Sequence, residues 1–180
     1  DSGLKGRGGA GFPTGLKWKF CRNEDSDTKY VICNADEGEP GTFKDREILD
    51  RVPEKIFAGM TICGFVIGAR EGYMYVRGEY NFMLKALDKK IELFNKQLRD
   101  LKVDFQIYLR SGSGAYVCGE ESALFESMEG KRGEPRNKPP YPTVAGYNNK
   151  PTVINNVETL VYTSEICRMG PEQFKALGTK

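Results

Sequence analysis

The stretch KYVICNADEGEPG at residues 29–41 decides the fold, because a short apolar run gives way there to an acidic loop. The run YVIC at residues 30–33 is rich in β-forming side chains and short enough to be a buried strand. The loop that begins at Asn34 brings carboxylates to the end of that strand. Ligands of parallel α/β sheets bind beyond the carboxyl ends of the strands. The stretch therefore predicts both a strand and a candidate ligand-binding loop.

The rest of the chain continues an alternation of helices and strands. The sequence predicts a helix from Pro53 to about Ala69, a strand at residues 73–77, an amphipathic helix through residues 84–101, a strand at residues 103–109 and a helix from about Gly119 to Met128. Residues 130–151 are predicted to be irregular and residues 152–170 to form a last helix. This order predicts an α/β fold with a mostly parallel sheet, right-handed crossovers and flanking helices.

The composition excludes several classes of function. With 180 residues, of which 39% are hydrophobic, the chain can form one domain with its own core. The absence of histidine excludes Ser–His–Asp and Cys–His catalysis and histidine-ligated zinc. A net charge of +2 gives no basic field for nucleic acid. No apolar segment reaches the roughly 20 residues of a membrane span. We therefore expect neither a nucleic-acid partner nor direct membrane insertion.

The five cysteines are too far apart to form a metal site. They are Cys21, Cys33, Cys63, Cys118 and Cys167. No two of them make a CxxC pair, so we predict that this chain ligates no metal. Their odd number and wide spacing are typical of reduced, mostly structural thiols in a cytoplasmic protein.

The segment GRGGAGFPTG at residues 6–15 is a candidate anion-binding loop. Its glycines let backbone amides approach a phosphate, and Arg7 and Lys17 add positive charge. Aromatic rings lie nearby at Phe12, Trp18 and Phe20. The loop lacks the preceding strand of a Rossmann fingerprint and the closing Gly-Lys-Ser/Thr of a Walker A loop. The residues alone leave open a nucleotide loop or an ordinary turn, with the aromatic residues at a ligand or in the core.

Two further groups of charged residues each allow two interpretations. Glu120 and Glu121 follow the glycine-rich segment at residues 111–114 and begin a predicted helix, where acids favour the helix dipole. Consecutive residues face different directions, so one of them could instead bind ribose hydroxyls and repel a 2′-phosphate. The basic residues Lys131, Arg132, Arg136 and Lys138 are by themselves most typical of a solvated surface.

Five segments, in order within residues 3–160, closely resemble the NADH-binding, FMN-carrying subunit of respiratory complex I and its relatives. These relatives are the diaphorase subunits of NAD-linked hydrogenases and formate dehydrogenases. The segments are GRGGAGFPTGLKW at 6–18, NADEGEPGTFKDR at 34–46, GAYVCGEE at 114–121, EGKRGEPR at 129–136 and PTVINNVET at 151–159. The resemblance implies a Rossmann-like domain that binds FMN non-covalently, with NADH laid over the flavin.

The resemblance also implies which residues form the site. Glu37, on the flavin side, and Glu39, beside the nicotinamide, are the catalytic candidates. Glu121 would bind the ribose hydroxyls, and Phe12 and Phe20 would stack on the adenine, with Tyr141 as a third ring. The predicted cofactor-binding residues are Gly6, Arg7, Gly8, Gly9, Gly11, Phe12, Lys17, Phe20, Asn34, Asp36, Glu37, Tyr116, Gly119, Glu120, Glu121, Lys138, Asn155 and Asn156.

The resemblance further implies an FMN/NADH-binding domain at residues 1–160, with residues 161–180 as a linker or the start of the next domain. Family members continue into a ubiquitin-like domain and a domain that ligates a 4Fe–4S cluster. The five scattered cysteines of this chain are not expected to ligate that cluster. The chain is therefore expected to be the flavin-domain fragment of an enzyme. Its expected partners are NADH and iron–sulfur subunits, including a thioredoxin-like 2Fe–2S subunit. Its expected location is the cytoplasm or the mitochondrial matrix side, in the peripheral arm of a larger complex.

The implied function is that of an NADH dehydrogenase, or diaphorase, module. A hydride passes from NADH to FMN, and electrons then leave singly to iron–sulfur centres, which requires no histidine base. Because negative charge disfavours a reduced anionic flavin, Glu37→Gln is expected to raise the flavin midpoint potential. Two alternatives remain: the corresponding subunit of an ion-pumping ferredoxin:NAD oxidoreductase, and a non-catalytic nucleotide-binding or assembly domain.

Overall fold

A computed structural model describes residues 1–178 of the chain. The strands are β1 (Tyr30–Ala35), β2 (Glu71–Val76), β3 (Gln106–Ser111) and β4 (Thr152–Asn156). The helices are α1 (Thr14–Asn23), α2 (Lys44–Arg51), α3 (Pro53–Ile67), α4 (Asn81–Asp100), α5 (Glu121–Met128), α6 (Pro142–Ala145), α7 (Val157–Met169) and α8 (Pro171–Ala176). Short 3-10 turns lie at Gly78–Tyr80, Tyr116–Gly119 and Tyr147–Asn149.

The four strands of the described residues form one fully parallel sheet in the order β3-β2-β1-β4. Tyr30 of β1 pairs with Glu71 of β2 and with Thr152 of β4. The predicted α/β fold with a parallel sheet and flanking helices is confirmed. The chain extends the sheet on one side of β1 through β2 and β3, and then adds β4 on the other side. Such a reversal leaves a crevice beyond the carboxyl ends of the strands that flank it.

The two faces of the sheet carry different cores. Val31 and Cys33 of β1 belong to the larger core, which is packed by α1, α3, α4 and α7. Ile32 belongs to a smaller core on the other face, together with Tyr75 and with Phe125 of α5. This alternation follows from the pleat of the strand, which sends successive side chains to opposite faces. The larger face is mainly aliphatic, whereas the smaller one is rich in tyrosine.

Helices α3 and α7 approach closely because a glycine lies between them. A Cβ on Gly59 would collide with the carbonyl oxygen of Leu160, so any side chain there would separate the helices. The predicted bounds of α3 agree with the structure: Pro53 opens its first turn, and Gly68 ends it with a φ of 79°. Helix α7 continues through the domain boundary expected after residue 160.

The strand β4 corrects the prediction of one helix over residues 152–170. Its β-branched residues Thr152, Val153 and Ile154 are buried in the sheet, and α7 begins directly afterwards. The side chain of Asn156 marks the change, since its Oδ1 accepts the backbone N–H of Glu158 at 3.0 Å. A short buried strand joined to a helix has no periodicity of its own that separates the two.

Helices α1, α2 and α8 were not predicted, the short helix α6 interrupts the segment predicted to be irregular, and two strands are displaced from their predicted bounds. Helix α2 buries only Asp45 and Leu49, so it has almost no apolar stripe that would reveal it. Strand β2 begins two residues earlier than expected, and β3 begins at Gln106 rather than at Val103. Because β3 is an edge strand with exposed side chains, its apolar pattern is weak.

The cysteines are free thiols, and those at positions 21, 33, 63 and 118 are buried while Cys167 is exposed. Burial raises the pKa of the Cys21 thiol to about 12, which keeps it protonated near neutral pH. Among residues 1–178 there is no group of side chains arranged to hold a metal ion. The helices described here also include none that is long and apolar enough to cross a membrane.

Candidate functional site

A cavity of about 830 Å³ opens where the strand order reverses. Asn34 contributes to it from β1, and Asn155 and Asn156 contribute from the end of β4. Most of the other lining residues come from the glycine loop before α1, the acidic loop after β1 and the segment at residues 116–121. This volume lies within the range of sites for small molecules and cofactors.

The cavity brings together nearly all of the predicted site residues. Those that line it are Gly6, Arg7, Gly8, Gly11, Phe12, Lys17, Asn34, Asp36, Glu37, Glu39, Tyr116, Gly119, Glu120, Glu121, Lys138, Asn155 and Asn156. Gly9 and Phe20 are not among the residues that line the cavity, and neither is Tyr141. Phe20 lies half-exposed on α1 and Tyr141 is exposed. Their contacts with a ligand stay predictions.

The glycine loop is closed on itself at its base. The backbone N–H of Gly6 donates to the carbonyl of Phe12 at 2.9 Å, and that of Thr14 donates to Leu4 at 2.9 Å. Gly9 and Gly11 have φ values of 113° and 63°, which larger residues rarely adopt. A Cβ on Gly8 would lie 3.3 Å from the side chain of Asn156. The loop is thus a compact turn that carries its backbone along the cavity and into α1.

Arg7 is held on α7 rather than free over the cavity. Its backbone N–H donates to the Oγ1 of Thr159 at 2.9 Å. Its guanidinium lies 5.3 Å from the ring centroid of Tyr162, which is a cation–π distance. Arg7 therefore anchors the glycine loop to α7 through its backbone. Its guanidinium, which was predicted to bind an anion, also packs on the ring of Tyr162 in α7.

Lys17 and Trp18 of α1 face two different surroundings. The Nζ of Lys17 donates to the carbonyl of Ile154 at 3.1 Å and lies 3.9 Å from the Oε2 of Glu121. Burial lowers the pKa of Lys17, although the Glu121 carboxylate opposes this shift. The Trp18 ring is in the core, and its Nε1–H donates to the Oδ1 of Asn155 at 2.8 Å. The core interpretation is thus confirmed for Trp18, whereas Phe12 is half-exposed at the cavity.

Asp36 is a buried carboxyl group with an unsatisfied oxygen. Its Oδ2 has no hydrogen-bond partner among the described residues, and its backbone N–H is held by the Oδ1 of Asn34 at 3.1 Å. Burial raises the pKa of Asp36 to about 6, and the charge of Arg77 partly opposes this shift. An unpaired buried acceptor in the wall of a cavity is the feature expected where a ligand donates a hydrogen bond.

Glu37 and Glu39 have separate roles in the structure. The Glu37 carboxylate accepts the backbone N–H groups of Asp45 at 3.1 Å and Arg46 at 3.3 Å, and so caps the beginning of α2. The Oε2 of Glu39 accepts the hydroxyl of Tyr116, at 2.7 Å, near the cavity mouth. The catalytic candidate Glu37 is therefore already engaged in local structure, whereas Glu39 is held by an exposed side chain.

Glu120 and Glu121 also differ in their hydrogen-bond partners. The Oε2 of Glu120 accepts the backbone N–H groups of Ser122 and Ala123, both at 2.9 Å, at the start of α5. Burial acts to raise the pKa of Glu120, but these hydrogen bonds and Lys138 lower it. Lys138 donates to the Oε1 of Glu120 at 3.0 Å and to that of Glu121 at 2.7 Å. Capping is thus confirmed for Glu120, whereas the carboxylate of Glu121 is paired with lysine side chains of the cavity.

The site also contains polar residues that were not predicted from the sequence. Lys44 donates to the Oδ1 of Asp45 at 2.6 Å and to the Oδ1 of Asn156 at 3.0 Å. Burial raises the pKa of Asp45 despite this pairing with Lys44. The residues that line the cavity without having been predicted are Ala10, Gly38, Thr42, Lys44, Asp45, Val117, Pro135, Ile154 and Thr159. All of them lie within the quoted segments, so membership of those segments was the signal that could have found them.

The basic run at residues 131–138 divides into solvated and structural members. Arg132 is exposed and pairs with exposed Glu134, at 3.1 Å. Arg136 instead binds Glu126, Glu129 at 2.7 Å and the carbonyl of Gly146 at 2.8 Å. Arg136 therefore attaches the irregular segment to α5. Lys138 belongs to the same segment and lines the cavity. The prediction of a solvated face is right for Arg132 and wrong for Arg136.

These features together define a class of protein. The parallel sheet has a cavity at its switch point, a glycine loop beside the cavity leads into a helix, and both acids and lysines line the cavity. These are the features of a nucleotide-binding α/β domain of Rossmann-like topology. The sequence matches the profile of the Nuo51 FMN-binding domain over residues 1–164, and the chain belongs to this family.

Several relatives are similar over almost the whole chain. The α subunit of the NAD-reducing hydrogenase HoxS of Cupriavidus necator is 54% identical, over 99% of this chain and 31% of its own length. An NADH-quinone oxidoreductase subunit from Aquifex aeolicus is 51% identical, over 98% of this chain and 43% of its own. The NADP-reducing hydrogenase subunit HndC of Solidesulfovibrio fructosivorans is 48% identical, over 99% and 37% respectively.

A solved structure gives the same result for the fold. A chain of an NAD+-reducing nickel–iron hydrogenase in its H2-reduced state superposes with a TM-score of 0.95 at 50% identity. The superposition covers 99% of this chain and 31% of that one. The chain thus spans less than half the length of these relatives.

Proposed function

We propose that this chain is the FMN- and NADH-binding part of an NADH dehydrogenase, or diaphorase. The observation that carries the proposal is the switch-point cavity with the buried Asp36 carboxyl in its wall, whose Oδ2 is unpartnered among residues 1–178. Family membership adds FMN as the expected cofactor. When bound, FMN supplies the acceptor for the hydride that leaves NADH.

The residues of the cavity fit an FMN group. Backbone N–H groups of the glycine loop suit a phosphate, because they can approach an anion without a side chain between them. Asp36 suits the hydroxyl groups of a ribityl chain, since its free oxygen is an acceptor. A Cβ on Gly38 would lie 3.0 Å from the Tyr116 ring, so this glycine lets the acidic loop pack closely against the segment that carries Tyr116. Asn34, Asn155 and Asn156 offer further polar atoms.

NADH is proposed to lie over the flavin, on the side of Phe12 and Glu121. Glu121 accepts the ribose hydroxyls, and Lys138 must loosen from it to admit them. The exposed ring of Phe12 offers a stacking surface for the adenine, and Phe20 and Tyr141 are further candidates outside the cavity. Glu39 and Tyr116 lie beside the nicotinamide in this arrangement.

We propose that electrons then pass singly to iron–sulfur centres outside residues 1–160, in further segments or in partner subunits. A 4Fe–4S cluster and a thioredoxin-like 2Fe–2S subunit are the expected acceptors, in the peripheral arm of a complex on the cytoplasmic or matrix side. The relatives are named as subunits of hydrogenases and of a quinone oxidoreductase, which favours this function over a ferredoxin-linked one.

An anaerobic absorbance titration tests the proposal. The purified chain should take up FMN and keep it through desalting, lose its yellow colour with NADH and regain it with ferricyanide. Asp36→Asn should weaken FMN binding, whereas Asp104→Asn, which alters an exposed ion pair with Arg70, should not. A colourless protein that binds NADH without FMN would instead support a non-catalytic nucleotide-binding domain.

A further inference from the structure

Arg77 lies directly behind the acidic loop without lining the cavity. It follows β2, and its backbone N–H donates to the carbonyl of Ala35 at 3.1 Å, which continues the pairing with β1. One end of its guanidinium donates to the backbone carbonyl of Glu37. The other end donates to the Oε1 of Glu79 at 2.7 Å. Arg77 thus joins the end of one central strand to the loop that follows its neighbour.

The segment that carries Arg77 is itself held firmly. A Cβ on Gly78 would lie 2.8 Å from the carbonyl oxygen of Gly112, so the chain packs here against the second glycine-rich turn. Tyr80 closes the segment, and its hydroxyl donates to the Oε2 of Glu37 at 3.3 Å. Residues 77–80 therefore hold Glu37 twice, by its main chain and by its side chain.

The charge of Arg77 also acts on the acidic loop. The loop places Asp36, Glu37 and Glu39 along one wall of the cavity. Burial raises the pKa of Asp36, and Arg77 is the cation that opposes this shift. Without Arg77, the same wall would present uncompensated negative charge to whatever binds there.

We propose that Arg77 is a positioning residue for the transfer of a hydride from NADH to FMN. It fixes the Glu37 peptide from outside the cavity and offsets the charge of the acidic loop. The inference rests on the proposed function, but it concerns a residue that touches neither ligand in that proposal. The two effects are separable, because Arg77→Lys keeps the positive charge and loses the two-ended contact.

The test compares the flavin-loaded wild type with three variants, in stopped-flow reduction by NADH and in spectroelectrochemistry. Arg77→Met should slow flavin reduction at least about tenfold, as expected for a small displacement in a reaction site, and should lower the flavin midpoint potential. Arg77→Lys should slow reduction as well, with a midpoint potential close to that of the wild type. Glu79→Gln, which removes the negative charge of the other partner of Arg77 at an exposed position, should leave the potential in place and change the rate by no more than about twofold.

The outcomes are distinguishable. If the wild type is reduced by NADH and Arg77→Met matches it in rate and potential, the role of Arg77 is overturned while the proposed function stands. If Glu79→Gln slows reduction as much as Arg77→Met, the contact with Glu37 is not the cause, which also overturns the inference. If the wild type takes up no FMN, both proposals fail. Should Arg77→Met not fold, as judged by circular dichroism, Arg77→Lys decides through its rate.

Discussion

Two acidic pairs line the cavity, Glu37 with Glu39 and Glu120 with Glu121, and each divides in the same way. The first member accepts backbone N–H groups at the beginning of a helix, α2 for Glu37 and α5 for Glu120. The second member is held by another side chain of the cavity wall, Tyr116 for Glu39 and Lys138 for Glu121. Neighbouring carboxylates therefore differ: one of each pair stabilises the fold, and the other is the one we propose to contact a ligand.

The physical basis of the division is the unpaired N–H groups of a helix start. These donors favour a carboxylate through both hydrogen bonds and the helix dipole, so the acid that reaches them is satisfied without a ligand. The other acid has only a flexible cationic or hydroxyl partner, which a ligand can replace. Stability and ligand affinity should therefore respond to different members of each pair.

The largest effect is expected at Glu37. Glu37→Ala leaves the N–H groups of Asp45 and Arg46 without their acceptor and should lower the free energy of unfolding by about 3 kcal/mol. Urea unfolding of the ligand-free protein measures it, with Glu39→Ala as the control that leaves the midpoint in place. Equal losses for both variants would contradict the division. Glu37→Gln, which keeps one acceptor, should fall between the two.

Glu120→Ala should have the next largest effect on stability. It removes the cap of α5 and should cost about 1–2 kcal/mol in the same urea experiment. Glu121→Ala is the matched control, one residue further on, and should cost less than half as much. A larger loss for Glu121 than for Glu120 would reverse the assignment of cap and ligand-binding residue.

Glu121→Gln should weaken the binding of NADH. Losing the carboxylate proposed for the ribose hydroxyls should raise the KM for NADH about tenfold, which corresponds to about 1.4 kcal/mol, with kcat nearly unchanged. Steady-state assays with ferricyanide as the acceptor measure both constants. Glu134→Gln, an exposed acid in the neighbouring segment, is the control. A lower kcat at unchanged KM would assign Glu121 to the chemical step.

The last effect concerns the dependence of stability on pH and is expected at Asp36, whose Oδ2 has no hydrogen-bond partner within the described part of the chain. Burial raises its pKa from 3.8 to about 6, so between these values the folded state binds a proton that the unfolded chain has released. Stability therefore falls as the pH rises through this window and stays lowered above it. Asp36→Asn should be more stable than the ligand-free wild type at pH 7 and equal to it near pH 3.5. Thermal unfolding at the two pH values measures this, and Asp104→Asn should show no such difference.

The sequence predicted the parts of the fold that have strong apolar patterns. The run ending at Cys33 marks β1, and Leu87, Ile91 and Leu98 form the buried stripe of α4. Helix α2 was not predicted because it is polar on nearly every side. It is also capped by Glu37, a residue that lies outside the helix in the chain. Strand β4 was merged with α7 because only the cap at Asn156 separates them.

The site was predictable as a set of segments but not as a set of roles. Glycines and acids at the ends of strands located the cavity, since the ends of parallel strands share one edge. The division between Glu37 and Glu39 depends on where α2 places its N–H groups, which adjacent sequence does not show. Lys44 and Asp45 were missed for the same reason, because the folding back of α2 brings them to Asn156.

The bond between Trp18 and Asn155 gives the molecule an optical reporter. Trp18 is the only tryptophan of the chain, and its Nε1–H is held by a residue that lines the cavity. Indole emission depends on the polarity and hydrogen bonding around that nitrogen, and a flavin nearby would quench it by energy transfer. The fluorescence of Trp18, excited at the red edge of tryptophan absorption, should therefore report the binding of a ligand in the cavity. The measurement needs no label and no substitution.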